Sequence, residues 1–148
     1  MKEGLVAGLS HRFQYTVPPN KTVPHLYPES EDFQAMPEVF ATGFMVGLIE
    51  WACVDALKPF LDDGEGSLGT AIYVTHTAAT PPGAMVTVTV RCTAVDGRRV
   101  VWEVEADDGL DNIGKGSHER MVVRWNNFLA RVENKKLRLA ERADGAPV

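Results

Sequence analysis

Cysteine is scarce in this chain of 148 residues: there are two, Cys53 and Cys92, each in apolar surroundings. That excludes a disulfide framework and any paired C-x-x-C zinc or redox site, and it predicts reduced core thiols. Long hydrophobic runs are missing as well. The longest uncharged apolar stretch, Val39 to Ile49, is too short to span a bilayer, and the first ten residues carry Glu3 and no apolar run of the signal-peptide kind. Basic excess is the third absence. Fifteen Lys and Arg stand against twenty Asp and Glu, a net charge of −5, where a nucleic-acid or anionic-membrane protein would show a basic stripe. Together these absences predict a cytoplasmic protein with no nucleic-acid and no membrane partner. A small anionic ligand stays open, because a few local cations would serve it.

What is present fits one globular domain. The chain is 45% hydrophobic and 24% charged, close to the average for such domains. A domain of this size buries roughly two-thirds of its unfolded surface, so it needs neither disulfide nor metal to fold. We therefore expect a single domain over 1–148. Residues 12–17 alternate (Phe13, Tyr15 and Val17 on one side) and predict a strand. Pro18-Pro19 stops it. The segment at about 18–38 holds five of the nine prolines and no clean period, which suits a stiff binding loop or lid as well as an irregular cover.

Residues 39–60 predict one long helix, apolar round most of its circumference and so buried on most sides, with Thr42 as its N-cap. Gly43 and Gly47 leave one stripe without side chains, room for a sheet to approach. Strands are expected at 70–79, 85–94, 98–106 and 113–125, the second and third joined by an Asp96-Gly97 hairpin signal. The tail at 126–148 mixes Phe128, Leu129, Val132 and Leu137 with many charges and leaves open a short helix or a frayed end. The expected order is strand, lid, long helix and a four-strand antiparallel meander, an α+β architecture. So apolar a helix on one sheet would still expose surface, so a second copy should cover it, giving a homodimer.

Two motif matches fail on context. Gly64-Glu65-Gly66-Ser67-Leu68-Gly69 spells a dinucleotide fingerprint but follows a helix and precedes a strand, the reverse of what that site needs. Ser67 lacks the glycine two positions before it that a nucleophile elbow requires, since Glu65 stands there. No metal-binding motif occurs, and neither metal nor separate cofactor is expected. What remains is an unusual set. Glu50 is the only ionisable residue between Val39 and Val54, and a carboxylate in a buried helix costs several kcal/mol, on the order of a lost core contact or more, unless paired or protonated. His76 sits in an apolar strand on the face of Ile72 and Val74. Each alone is as well explained by structure. A carboxylate, an imidazole and a hydroxyl at a helix N-terminus beneath a proline-rich lid are, together, the parts of acid–base or nucleophilic chemistry.

The stretches TVPHLYPES, PEVFATGFMVGLIEWAC, GEGSLGTAIYVTHTAATPPG and IGKGSHER carry a specific resemblance from about Val17 to Arg120. The arrangement resembles the hot-dog fold, a curved antiparallel sheet wrapped around one long central helix, and within it the fluoroacetyl-CoA thioesterase family. The resemblance implies a thioesterase that hydrolyses a short acyl-CoA, fluoroacetyl-CoA first, and so confers fluoroacetate resistance. It implies Thr42, Glu50 and His76 as the catalytic set, Gly69 against the thioester carbonyl, and Val23, Leu26 and Phe33 as the apolar lid. At position 36 it implies phenylalanine, and Met36 stands there; methionine is more flexible, which bears on acyl discrimination rather than on hydrolysis. Arg120 joins Arg98, Arg99 and Lys115 as candidates for the coenzyme A phosphates. His76 is expected to remove the α-proton that fluorine acidifies, with Thr42 orienting the Glu50 carboxylate; the competing route is direct attack by Glu50 or water on the carbonyl, with His76 protonating the leaving thiolate. Two other functions fit such a pocket: a non-catalytic acyl-CoA binding protein, and a hydratase or dehydratase on the same fold.

Overall fold

The computed structural model describes residues 1–145; the end of the expected tail, 146–148, lies outside the described residues. Five strands, β1 (Ser10–Thr16), β2 (Glu65–Val74), β3 (Met85–Asp96), β4 (Arg99–Asp107) and β5 (Asn112–Arg124), form one antiparallel sheet in the order β1-β3-β4-β5-β2. A four-residue helix α1 (Glu31–Gln34) lies in the lid, α2 (Thr42–Leu57) packs along the sheet, and α3 (Trp125–Asp144) follows β5 directly. The tail is therefore a helix, and the architecture is the sheet around a central helix that the resemblance implies.

Valine and tryptophan on alternate positions make the core. Val86, Val88, Val90 and Cys92 of β3 and Val100, Trp102, Val104 and Ala106 of β4 all point at α2, meeting Met45, Leu48, Ile49, Ala52, Cys53, Ala56 and Leu57. Each large apolar side chain so buried contributes about 1.5–3 kcal/mol relative to exposure. The hairpin between β3 and β4 turns at Gly97, whose φ of 57° is cheap only for glycine. Both cysteines are free and buried, and burial pushes the Cys53 thiol up to about 12.

Several expectations change. The last four strands are not a simple meander. β3, β4 and β5 are, but β2 pairs with β5 and the 75–84 connection carries the chain to the far edge, where β3 also receives β1. β2 also begins five residues earlier than expected, so the glycine-rich 65–69 segment is itself strand; a Cβ at Gly66 would stand 1.9 Å from the Trp125 ring, so the glycine makes room for the start of α3. Finally, α2 begins at Thr42, with Ala41 in the cap position and no side-chain cap. Phe40 explains this: it bridges to Thr22 and donates its N–H to Thr80 O at 2.8 Å, which holds residues 39–41 extended.

The helix is buried on one side only. Gly43, Gly47, Trp51 and Val54 recur at helical spacing along an open stripe, with Trp51 52% exposed. The glycine stripe thus faces away from the sheet: Gly47 has nothing within 4 Å, and Gly43 is covered by Leu26 of the lid. Beside this stripe the edge strand β2 exposes residues 69–73.

Candidate active site

The site residues fall into two groups along α2. The first lies at the helix N-terminus, where first-turn N–H groups lack intrahelical partners and the dipole is positive. Thr42 Oγ1 stands 2.7 Å from His76 Nδ1. His76 lies just past the end of β2, so it does not share a strand face with Ile72 and Val74 as its sequence context suggests. The chain there is nevertheless fixed: Thr75 N–H donates to Lys115 O at 2.9 Å and Thr77 N–H to Ile113 O at 2.8 Å. Gly114 and Gly116 permit that approach, since a Cβ at either would stand 2.2 Å from Thr75 O or 1.8 Å from Tyr73 O. His76 Nε2 is buried without a hydrogen-bond partner. Burial lowers the imidazole pKa below its ordinary value, with the Ala78 backbone acting against it. A neutral ring with one nitrogen engaged and one unengaged is the form a general base needs.

The second group centres on Glu50. Eight residues of helix separate it from Thr42, about 12 Å at 1.5 Å per residue. Within one chain Thr42 therefore lies against His76 and out of reach of the Glu50 carboxylate. Glu50 is also 43% exposed at its side chain, not buried, because it lies on the rim of the open stripe. Its partner is Arg120, whose Nη1 donates to Glu50 Oε2 at 3.1 Å. Arg120 itself is buried and engaged at all three nitrogens: Nε donates to Ser67 Oγ and Nη2 to Ser67 O, each at 2.8 Å, and Nη1 donates also to His118 Nε2 at 3.1 Å. It is thus placed to hold the Glu50 carboxylate of its own chain. Arg98 and Arg99 are likewise in ion pairs, with Glu65 at 3.2 Å and Glu119 at 2.7 Å. His118 completes the set through Nδ1, 2.8 Å from Ala71 O; burial lowers its pKa, the Ala71 bond opposes that, and the Arg120 charge lowers it further. Gly69 faces the cluster directly, beside a bulge in β2 at Thr70; a Cβ there would stand 3.1 Å from His118 Cε1 and 3.2 Å from Glu50 Oε2.

The lid is an ordered strap. Val23 N–H donates to Val39 O at 3.0 Å, Gln34 Nε2 to Pro24 O at 2.5 Å, and the Tyr27 and Phe33 rings meet at 5.3 Å. Leu26 lies on Gly43, next to Thr42, while Met36 is 49% exposed. A cleft of about 250 Å³ opens between lid and helix stripe, bounded by Tyr15, Lys21, Phe44, Gly47 and Trp51. Lys21 Nζ lies 4.8 Å from the Phe44 ring centre.

Of the residues the sequence pointed to, Thr42 meets His76, and Glu50 meets Gly69 and Arg120. The two groups do not meet each other within one chain. His118 and Ser67 were not foreseen as site residues. The alternation of β5 could have revealed His118: with Arg120 and Val122 it falls on the inner face, where an ionisable residue needs a partner.

Comparison with known proteins identifies the family. The family described as fluoroacetyl-CoA-specific thioesterase (FlK) matches residues 20–126. The fluoroacetyl-CoA thioesterase of Streptantibioticus cattleyicolor is 60% identical over 135 residues, 91% of this chain and 97% of that one. A crystal structure of an FlK variant in complex with fluoroacetate and CoA superposes with a TM-score of 0.82 at 60% identity, covering 84% of this chain and 99% of that one. A hot-dog-like protein from Thermanaerovibrio acidaminovorans, 28% identical, follows with a TM-score of 0.74 over 87% of this chain and 91% of its own. The chain belongs to the fluoroacetyl-CoA-specific thioesterase family and has the hot-dog fold.

Proposed function

We propose that this protein hydrolyses fluoroacetyl-CoA with water to fluoroacetate and free CoA, in a site that two copies of the chain build together. The observation that carries the proposal is the division of the site along α2. A two-carbon acyl group cannot touch Thr42–His76 and Glu50–Arg120 at once when about 12 Å of helix lies between them. If two α2 helices pack antiparallel on their open stripes about Val46 and Gly47, Thr42 of one copy comes beside Glu50 of the other. Gly43 and Gly47 suit that close approach, and the exposed edge of β2 can extend the sheet into the second copy. The related enzyme crystallised with fluoroacetate and CoA supports the substrate.

His76 Nε2 then takes the α-proton that fluorine acidifies. The C–S bond breaks as CoA thiolate leaves and regains a proton, and water adds under the influence of Glu50. The lid, with Val23, Leu26, Phe33 and Met36, keeps other water away. The reaction needs no cofactor, since coenzyme A is part of the substrate. Among the described residues no helix is long and apolar enough to cross a membrane, and two free cysteines suit the cytoplasm.

Two measurements test the proposal. Thiol release across a panel of acyl-CoAs should be fastest with fluoroacetyl-CoA and should form no double bond; binding without release, or formation of an enoyl product, would select a binding protein or a hydratase. Light scattering should give about twice the 16.2 kDa chain mass. Mixing Thr42→Ala and Glu50→Gln chains should restore about a quarter of wild-type activity, since half the random dimers are mixed and each has one intact site. No restoration would place both groups in one chain's site.

A further inference from the structure

The guanidinium of Arg120 cannot accept a hydrogen bond and the carbonyl of Ala71 cannot donate one, so the two neighbours of His118 dictate its state. Nδ1 must carry the proton and donate to Ala71 O at 2.8 Å; Nε2 must be bare and accept from Arg120 Nη1 at 3.1 Å. Only the neutral ring in this tautomer satisfies both. The remaining bonds of Arg120 show what this achieves. Ser67 grips one edge of the guanidinium through Nε and Nη2. The opposite edge is Nη1, with two hydrogens: one goes to His118 and the other to Glu50 Oε2. Glu50 has no other hydrogen-bond partner among the described residues, and it sits half-exposed on a helix rim where its carboxylate could turn outward.

We propose that His118 is a positioning residue: by holding one Nη1 hydrogen of Arg120, it aims the other at Glu50 and fixes where that carboxylate meets the substrate. The inference rests on the hydrolytic role given to Glu50 above. The bulge at Thr70 belongs to the same device, because Ala71 is the first residue after it and supplies the carbonyl that locks the tautomer. One strand irregularity therefore sets Gly69 against the carboxylate and, through His118, sets the carboxylate itself.

Two near-isosteric variants separate the two ring nitrogens. The amide of His118→Asn reaches the Nδ1 position and keeps a donor for Ala71, but leaves Arg120 without its acceptor. The longer amide of His118→Gln puts an oxygen near Nε2. With fluoroacetyl-CoA, the Asn variant should lose about tenfold or more in kcat per folded molecule with KM within about twofold, beyond what its loss of thermal stability accounts for, and Gln should recover most of that loss. In the free enzyme, nitrogen NMR should show His118 as the Nδ1–H tautomer and resolved guanidinium signals for Arg120, averaged in the Asn variant and resolved again in the Gln variant. An Asn variant with wild-type kcat overturns the inference. So do equal losses in Asn and Gln that follow their losses of stability, and so do Arg120 signals unaltered by Asn. The NMR arm decides independently of turnover: if the wild-type protein released no CoA from any acyl-CoA, the functional proposal would fail while the Arg120 signals still judged the role of His118.

Discussion

Gly69→Ala is the sharpest single perturbation of the Glu50 group. The position has no positive φ, so alanine fits the backbone without strain. Its methyl carbon would stand 3.1 Å from His118 Cε1, 3.2 Å from Glu50 Oε2 and 3.6 Å from Arg120 Nη1. Comfortable contact begins near 3.5 Å, so something must give by a few tenths of an ångström, up to about 0.5 Å. His118 is held at both nitrogens and Arg120 by both atoms of Ser67, whereas Glu50 hangs on one hydrogen bond. Glu50 therefore moves.

Displacement of a reacting group by up to about 1 Å costs on the order of 10- to 100-fold in rate, equivalent to roughly 1.4–2.7 kcal/mol of transition-state stabilisation. Stability should go the other way. Replacing glycine by alanine at a compatible site stabilises by about 0.4–1 kcal/mol through the unfolded chain, and Gly69 is exposed, so no core packing is disturbed. The expected outcome is a 10- to 100-fold fall in kcat for CoA release, followed with a thiol reagent, and a melting temperature that holds or rises. Wild-type kcat would show that Glu50 has slack the geometry denies. A rate loss that merely follows a loss of folded protein would refute the steric account.

Glu50→Gln keeps the shape and removes the base, so kcat should fall by roughly 100-fold or more in a protein that melts normally; near-normal turnover would return Glu50 to a structural role. Burial lowers both His76 and His118 below the ordinary histidine value of 6.5. Their stabilising contribution is therefore complete above that pH and is lost as the pH falls below it, where the unfolded chain binds more protons. The acid limb of kcat/KM should likewise lie below 6.5, and a limb above it would contradict the neutral imidazoles. Dideuterated fluoroacetyl-CoA should turn over severalfold more slowly, and His76→Ala should abolish that difference; equal rates without α-proton exchange would favour direct attack on the carbonyl. Gly66→Ala drives a methyl into Trp125 and should cost about 1–3 kcal/mol in a denaturation curve while sparing kcat per folded molecule.

The parts of the fold written in local pattern were legible. Strict valine and threonine alternation fixed the faces of β3, and Asp96-Gly97 marked the turn into β4. Sheet order was not legible, because β2 joins β5 across a connection whose path no local signal encodes. Residues 65–69 looked like a loop for a physical reason: two glycines and no β-branched side chain. They are strand because β5 pairs with them and Trp125 needs the space above Gly66. The residues around Glu50 are apolar on every side in sequence, which suggested burial. A single chain has only one sheet to offer, so the Gly43–Gly47–Trp51–Val54 stripe stays open. The oddity of Glu50 was thus a true signal with the wrong environment attached.

That open stripe bears on how fluorine could be told from hydrogen. The substitution barely enlarges the acyl group, and a packed pocket gains only about 1–3 kcal/mol, some 10- to 200-fold, from sensing so small a change. Met36, half-exposed and flexible at the end of the lid, adds little to that range, while Leu26 lies on the helix beside Thr42. Chemistry offers more. Fluorine acidifies the α-carbon, and the buried, unpartnered Nε2 of a neutral His76 is the group that responds to acidity rather than to size. Acetyl-CoA would meet the same base but yield its proton far less readily. Selectivity of this kind appears in kcat more than in KM, and it does not depend on how closely the lid fits the acyl group.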